Sequence, residues 1–486
     1  MISANESTMK NIITALAIAA LTTAPALAHT THHGKAKAWR AAKAHSANAR
    51  GAQAQGTANA YGRVGLDDAG LATVTERDSR GRATKVTEAV GTPLERSTAS
   101  AYTAAGDLSS VTDPRGFVTA YGYDSAGRRT SVTGAAGTPE ALTVTTGYDL
   151  LDRTASVTRP GGRTTGYAYD ALGQLTQVSE ADGTPLARSS TLAYDAAGNR
   201  TSVTDPLGHV SATAYDALGR PSSSTDPRGG VTAYAYDLAG RLKSLADPAG
   251  NATSWAYDAA GRRVSATDPL GKVTAYGYDA AGQLVGVTDR MGRRKAFAYD
   301  AAGQLTGEDW FDAANSKLDS RAFAYDAGGN LTGAASNAGT YALAYDALNR
   351  VTNVSEPFGA TLAFGYDAGG NRTSVTDGFG GVTASAYDGL GRLTGRELSG
   401  TGVTPAKVAW GFDAAGDATT LTRSAKAGAA WAVAATTATA FDALGRTVSI
   451  ATTAGTGAAV SAYSYAYDAG DRLTAETADG VTPAAS

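Results

Sequence analysis

Aspartate recurs in this chain three residues before glycine, and carboxylates at regular spacing are candidates for metal binding or acid–base chemistry. Residues 194–220 read YDAAGNRTSVTDPLGHVSATAYDALGR and contain this Asp-x-x-Gly pattern three times. A calcium ion needs roughly six to eight oxygen ligands. Each copy offers one carboxylate, and the two residues between its Asp and its Gly are Ala, Leu or Pro, which have no side-chain oxygen. The spacing therefore does not predict a calcium site.

Turn formation explains the pattern better than metal binding. An Asp in the first turn position accepts hydrogen bonds from amides further along the turn, Pro presets φ at the second position, and Gly adopts the positive φ that follows. We predict structural turn roles for Asp195, Gly198, Asp205, Pro206, Gly208, Asp216 and Gly219. We predict no metal site and no cofactor. A carboxylate pair for glycoside hydrolysis, with a separation of about 5–9 Å, stays open, but no repeat singles one out.

Nucleophilic catalysis has few candidate residues here. The chain has no cysteine, and His209 is its only histidine after residue 45. Sister repeats carry Gly230 and Lys272 in the place of His209, which favours a position on the strand surface over a general base. We therefore predict that the protein is not an enzyme.

The N-terminus has the features of a secretory signal. From Met9 it reads MKNIITALAIAALTTAPALA, with one lysine, a short apolar run and an Ala-x-Ala site before His29. We predict a signal peptide over residues 1–28, with Met9 as the better start, and a mature protein that is secreted or held at the cell surface. No later segment is apolar for long enough to predict an integral membrane protein.

The net charge has opposite signs in the two parts of the chain that follow residue 28. Residues 29–60 form a basic low-complexity linker of +5 within a total of −3, so residues 61–486 carry −8. That negative charge disfavours nucleic acid as a partner.

Tyr-Asp is the mark of an internal repeat. Five successive intervals between Tyr194 and Tyr299 are each 21 residues long. Each unit holds two Asp-x-x-Gly turns separated by six or seven residues rich in Thr, Val, Ser and Tyr, which is strand composition and length. We predict an all-β fold, a continuous antiparallel meander of these repeats that coils into a β-solenoid or a hollow spiral shell, because wide sheets twist.

Alternation within each strand separates a tyrosine face from a face of small residues. In Val231–Tyr236, Tyr234 and Tyr236 point to one side and the alanines to the other. We expect the tyrosines to cover the neighbouring strand and to keep their hydroxyl groups available to water or a partner. Aromatic faces with hydrogen-bonding rims suit sugars, and the charge of −8 disfavours strongly anionic glycans. The candidate carbohydrate-binding residues are Tyr234, Tyr236, Tyr276 and Tyr278.

Five intervals are longer than the rest and should project as loops or reshape the sheet locally. They cover residues 134–144, 180–190, 308–321, 395–408 and 423–440.

The repeat resembles that of a known family. Tyr-Asp-x-x-Gly-Arg-Leu, as in residues 236–242, is similar to the YD repeat of bacterial Rhs and wall-associated proteins, of insecticidal toxin complexes and of teneurins. The similarity spans about residues 61–480. It implies a spiral β-shell that encloses a C-terminal toxin exported for competition between cells, and it also implies carbohydrate binding.

This sequence departs from the toxin-bearing pattern of the family. Such members end the shell with Asp-Pro-x-Gly-Leu, whereas residues other than Leu follow each Asp-Pro-x-Gly here, for example Phe117 and His209. We interpret residues 481–486 as a short tail of a truncated product or an orphan shell segment, and we carry over no self-cleavage residues.

Two functions follow as hypotheses. The first is an exported structural shell, or shell fragment, that encloses or displays cargo such as a toxin or joins a downstream shell segment. The second is a cell-surface adhesin that binds glycans through the same repeats.

Overall fold

The structure is a computed structural model that describes residues 62–66 and 71–478. The predicted signal peptide (1–28), the linker (29–60) and the C-terminal tail (481–486) lie outside the described residues. The boundaries drawn for these segments therefore stay predictions.

The described residues form 37 β-strands and one short 3₁₀ turn. Their bounds are β1 (Gly62–Leu66), β2 (Ala72–Arg77), β3 (Ala83–Glu88), β4 (Arg96–Tyr102), β5 (Leu108–Thr112), β6 (Val118–Tyr123), β7 (Arg129–Gly134), β8 (Leu142–Tyr148), β9 (Thr154–Arg159), the 3₁₀ turn (Pro160–Gly162), β10 (Arg163–Tyr169), β11 (Leu175–Glu180), β12 (Arg188–Tyr194), β13 (Arg200–Thr204), β14 (Val210–Tyr215), β15 (Pro221–Thr225), β16 (Val231–Tyr236), β17 (Leu242–Ala246), β18 (Ala252–Tyr257), β19 (Arg263–Thr267), β20 (Val273–Tyr278), β21 (Leu284–Thr288), β22 (Arg294–Tyr299), β23 (Leu305–Phe311), β24 (Lys317–Tyr325), β25 (Leu331–Ser336), β26 (Gly339–Tyr345), β27 (Val351–Ser355), β28 (Thr361–Tyr366), β29 (Arg372–Asp377), β30 (Gly381–Tyr387), β31 (Leu393–Gly400), β32 (Ala406–Phe412), β33 (Ala418–Ala427), β34 (Ala430–Phe441), β35 (Thr447–Ala454), β36 (Ala459–Tyr467) and β37 (Leu473–Ala478).

All 37 strands belong to one antiparallel sheet in which each strand pairs with its neighbours in sequence. The pairing runs without a crossover from β1–β2 through β16–β17 to β36–β37. The predicted all-β meander of YD repeats is therefore confirmed.

The local sequence explains how each strand ends. In the β16–β17 hairpin the register shifts between Ala235 and Tyr236, so that Tyr236 lies opposite Leu242. This bulge and the positive φ of Gly240 turn the chain back within four residues. The same bulge precedes almost every YD tyrosine, which gives the sheet a regular pitch.

The sheet is one layer thick and has almost no enclosed core. Among the described residues, the buried apolar side chains are those of Ala89, Ala135, Ala181 and Leu393. Stability must therefore come from backbone pairing between strands and from side-chain contacts along the sheet surface.

The long intervals reshape the sheet in two ways. Residues 423–440 lengthen a hairpin, so that β33 and β34 have 10 and 12 residues. The Gly-Thr-Pro segments instead fold back on the preceding hairpin: Ala136 donates its N–H to Val118 O at 2.7 Å. Ala135 thereby becomes buried, in the left-handed conformation with φ of 48°.

Candidate functional site: the seam of the coil

Each Tyr-Asp turn is held by the carboxylate of its aspartate. Asp216 Oδ1 accepts the N–H groups of Leu218 (2.9 Å) and Arg220 (3.0 Å), and its Oδ2 accepts Arg220 Nε at 2.8 Å. The bond from Arg220 holds the pKa of Asp216 below its ordinary value of 3.8. Asp195 makes the equivalent bonds with Ala197 and Asn199, and its pKa is lowered chiefly by the Asn199 side chain.

The second turn of each repeat uses the same contacts. Asp205 Oδ1 accepts the N–H groups of Leu207 and His209, each at 2.9 Å, with Pro206 in the second turn position. The glycines that close these turns all have positive φ, between 73° and 86°. They are Gly198, Gly208 and Gly219.

The arginine that follows the glycine connects neighbouring repeats. Arg241 pairs with Asp237 in its own turn at 2.7 Å and donates Nη1 to Asp258 O of the next turn at 3.0 Å. Its guanidinium lies 4.8 Å from the centre of the Tyr257 ring. The sequence YDxxGR thus encodes one turn and its link to the following turn.

The YD tyrosines are structural, and the expectation that their hydroxyl groups are available is wrong for them. The fourteen YD hydroxyls, and that of Tyr102 in a degenerate copy of the repeat, donate to a backbone carbonyl 14–20 residues earlier, at 2.7–3.0 Å. The cause is the spacing of about 10 Å between like strands, which places the phenol over the intervening strand.

The four carbohydrate candidates fall into two kinds. Tyr236 and Tyr278 are YD tyrosines, bonded to Pro221 O and Arg263 O. Tyr234 lines a shallow cleft of about 390 Å³ beside Tyr236, and Arg263 lies 4.8 Å above the Tyr276 ring. Sugar binding by these residues stays a prediction.

His209 has the same partner relation as the turn arginines. Its Nδ1 lies 3.0 Å from Asp205 Oδ2, four residues earlier, and the side chain is exposed. Within the described part of the chain, no three His, Cys, Asp or Glu side chains converge as a metal-ligand set.

The wall meets itself along a seam, which we define by contacts between the Asp-Pro-type turns of residues 113–208 and the Tyr-Asp turns of residues 367–471. Arg115 opens the seam: Nη1 donates to Asp388 O at 3.0 Å, and Nη2 donates to Gly389 O at 3.3 Å. The ring of Phe117 lies 2.5 Å from the point where Gly389 would carry a Cβ. Only glycine permits this close approach.

A buried ion pair forms the middle of the seam. Arg163 binds Asp417 in bidentate fashion, through Nη1–Oδ1 at 3.2 Å and through a shorter Nη2–Oδ2 contact. The Asp417 side chain is 6 % exposed and that of Arg163 is 22 % exposed. Hydrogen bonding to Asp417 raises the pKa of Arg163 above its ordinary value.

A second ion pair closes the far end of the seam. Arg188 contacts Asp471 Oδ1 at 2.6 Å and Oδ2 at 2.8 Å, and it also donates to Ala469 O. This arginine lowers the pKa of Asp471. Beside the pair, Leu207 packs against Gly470, with 2.5 Å between Leu207 Cδ1 and the point where a Cβ would lie.

These contacts fix the size of the coil. The seam joins β10 to the turn after β32 and joins the turn after β5 to the turn after β30, so one winding takes 22 to 25 strands. At ~4.8 Å per strand the perimeter is about 110 Å and the width about 35 Å. The wall therefore surrounds a space.

The sequence interpretation missed the seam because it treated the repeats as equivalent. The seam residues depart from the repeat pattern in visible ways. Asp417 stands where other Tyr-Asp turns have Arg, Asn or Gln, and Asp471 stands where most of them have Gly. These departures were the available signal, although they do not reveal which turn contacts which.

The fold and the seam define a class of protein: a coiled wall built from one repeated β-hairpin unit. The family model RHS Repeat matches residues 102–139, 148–185, 194–231, 215–252, 236–273, 257–290, 278–309 and 345–382. The chain belongs to the RHS-repeat family.

Solved structures of toxin-complex proteins share this fold. The crystal structure of TcdB2-TccC3 has a TM-score of 0.55 at 15 % identity, covering 85 % of this chain and 27 % of that one. The Photorhabdus luminescens Tc holotoxin pore gives 0.57 at 14 % identity, covering 85 % and 27 %. This chain thus spans about a quarter of the length of the chains it resembles. No curated protein matches it.

The described part of the chain contains no helix that is long and apolar enough to cross a membrane.

Proposed function

We propose that this chain is an exported wall segment of a shell that encloses or displays a polypeptide cargo in competition between cells. The observation that carries the proposal is the seam, because a single-layer sheet that contacts itself after 22 to 25 strands surrounds a space. The similarity in fold to toxin-complex proteins supports it. The role proposed for the chain is structural and includes no catalysis.

Enclosure is tested with a reporter. A short unfolded peptide fused after Ser486 should resist a protease as long as the seam holds. The matched fusion carries Gly389→Leu, which places a side chain where Phe117 packs and should expose the reporter. Equal digestion of the reporter in both fusions would contradict enclosure of a peptide that follows Ser486.

Export is tested separately by the N-terminal residue of the protein recovered from the bacterial host. Cleavage after Ala28 gives a chain that begins with His29 in the external fraction. A chain that retains Met9 in the cytoplasm contradicts export without affecting the enclosure result.

A glycan-binding surface is the second candidate, and it is favoured by the cleft beside Tyr234. Thr213, Pro221, Ser224, Tyr236 and Leu242 complete its lining. Among the described residues the Tyr234 hydroxyl has no hydrogen-bond partner, so it remains available to a sugar.

Tyr234→Ala should abolish any signal on a glycan array, whereas Tyr215→Phe removes only a structural hydroxyl and should retain it. Absence of binding by the wild-type chain removes this candidate.

A further inference from the structure

The most exposed apolar side chains are concentrated in turns at two open edges of the coil. Nine large apolar residues have relative exposures of 63–110 %, while the other exposed ones reach 59 %. All nine lie in turns rather than in strands. Five are in Tyr-Asp turns: Leu150, Leu151, Leu172, Leu218 and Leu238. Four are in the opposite turns: Leu270, Met291, Phe358 and Phe379.

These residues define two surfaces that continue the seam. The open YD edge consists of the Tyr-Asp turns between residues 124 and 303, and the open DP edge consists of the opposite turns between residues 226 and 380. The seam joins the same two kinds of turn within the chain. The open edges are therefore the two unused halves of an interface that the molecule already forms.

Equivalent residues show what the seam does to an edge. Leu390 and Leu444 occupy the second place after the turn Asp and are half-buried, and Leu390 approaches Gly134 of the opposing edge. Leu172 and Leu218 occupy the same place on the open YD edge at 82 % and 77 % exposure. Leu390 thus differs from Leu172 and Leu218 by its contact with Gly134 across the seam.

The open DP edge shows the same contrast. Leu207 of Asp-Pro-Leu-Gly is covered by Gly470, whereas Leu270 in the same motif is 81 % exposed. Arg115 of Asp-Pro-Arg-Gly reaches across the seam, whereas Arg228 in the same motif is exposed. The open DP edge thus presents both the apolar group and the cation that the seam uses.

The receiving groove is also present. In the seam, Arg115 lies between the turns of residues 367–370 and 388–391, where it contacts Gly369 and the Asp388 carbonyl. On the open YD edge, a groove of about 570 Å³ lies between the turns of residues 195–198 and 216–219, and Leu218 is part of its lining. This groove lies between two successive Tyr-Asp turns, as the seam groove does. No side chain of the described residues enters it in the way that Arg115 enters the seam groove.

We propose that a second copy of this chain docks on these edges, with the open DP edge of one copy against the open YD edge of the next. One copy carries both halves, so the contact is head-to-tail and does not close on itself. Leu270 and Arg228 of one copy then occupy the positions that Leu207 and Arg115 hold in the seam. Copies of the wall stack into a longer tube.

Two variants test this arrangement by sedimentation velocity over a concentration series. The first, Leu172→Asp with Leu218→Asp, blocks the open YD edge, and the second, Leu270→Asp with Phe379→Asp, blocks the open DP edge. The wild-type chain should grow beyond the dimer with concentration, and each variant alone should stay a monomer. An equimolar mixture of the two variants should form a dimer and nothing larger, because one intact edge of each kind remains.

The control adds the same charge away from both edges, at the exposed mid-strand residue Ala233, as Ala233→Asp. It should associate like the wild type. All variants are compared by circular dichroism, and the milder Leu218→Ser replaces any variant that loses its fold. A wild-type monomer at every concentration overturns the proposal. So does association that survives in either variant alone, which would indicate pairing through the terminal strands or a two-fold contact.

Discussion

The ion pair between Arg163 and Asp417 should be the most costly single contact to break in the seam. Arg163→Met leaves a carboxylate that is 94 % buried in the intact seam without its guanidinium. Removing one partner of a buried pair costs about 3–5 kcal/mol, and the partial exposure of Arg163 places the expected loss near about 3 kcal/mol. Asp413 and Asp442 lie close enough to Arg163 to add repulsion once it is gone.

The repeat itself supplies the compensating change. Asn occupies the position of Asp417 in other turns, where Asn371 donates its amide to Asp367 Oδ2 at 2.8 Å. Asp417→Asn should therefore fit its own turn, and the double variant should recover at least about 2 kcal/mol of the loss, since a neutral amide does not need the guanidinium. The matched control is Arg220→Met, which breaks a partly exposed pair away from the seam and should cost less than about 1 kcal/mol.

Hydrogen exchange measured by mass spectrometry is the suitable assay, because repeat arrays unfold in parts and a single global free energy is ill defined. The predicted loss of protection lies in β10 and β32–β33, while β16–β20 stay unchanged. Equal losses in Arg163→Met and Arg220→Met, or a double variant as unstable as the single one, would refute the claim that a buried pair holds the seam.

Three further predictions follow from the turns, the seam glycines and the tyrosines. Asp195, Asp216 and Asp237 are turn aspartates whose native pKa lies below the ordinary value of 3.8. The stabilisation that they contribute is therefore fully present above that pH and is lost as the pH falls through their lower native values. Circular dichroism melts should fall steeply below pH 4, and a flat profile down to pH 2 would contradict this. Gly389→Leu should cost about 1–3 kcal/mol at the seam. Ala217→Leu is the equivalent change on the open YD edge, and it should leave hydrogen exchange unchanged at concentrations where the chain is a monomer. Equal effects of the two changes under those conditions would argue against close packing at the seam. Tyr257→Phe removes a hydrogen bond to Leu242 O and should destabilise its hairpin by about 1 kcal/mol. The control Tyr234→Phe should have no such effect. Identical melting temperatures for the two variants would count against the structural role of the YD hydroxyls.

Most of the local structure could be predicted from the sequence because each repeat specifies its own turns. Asp, Gly and the alternating strand residues act over distances of a few residues, and some sixteen copies in phase remove ambiguity in register. The role of the tyrosine hydroxyls was harder to predict. Tyr236 bonds to Pro221, fifteen residues earlier, and this distance becomes clear only once the bulge before the tyrosine fixes the direction of the phenol.

The seam could not be predicted for a different reason. Arg163 and Asp417 are 254 residues apart, and their meeting depends on the small twist between neighbouring strands accumulated over 22 strands. An error of a few degrees per strand would bring a different turn opposite Arg163. Sequence departures such as Asp417 mark turns with special roles, but the twist decides their partners.

The claim that the sheet coils back on itself is tested most directly by one distance. Because the chain has no cysteine, Ala187→Cys and Ala469→Cys provide unique sites for spin labels, and both residues are exposed beside the contact of Arg188 with Ala469 O at 2.8 Å. Pulsed electron resonance should give a single short distance for a closed winding. A flat ribbon would separate these sites by about 115 Å, since ~24 strands at ~4.8 Å lie between them. A broad distribution at long distances would contradict the seam and the enclosed space inferred from it.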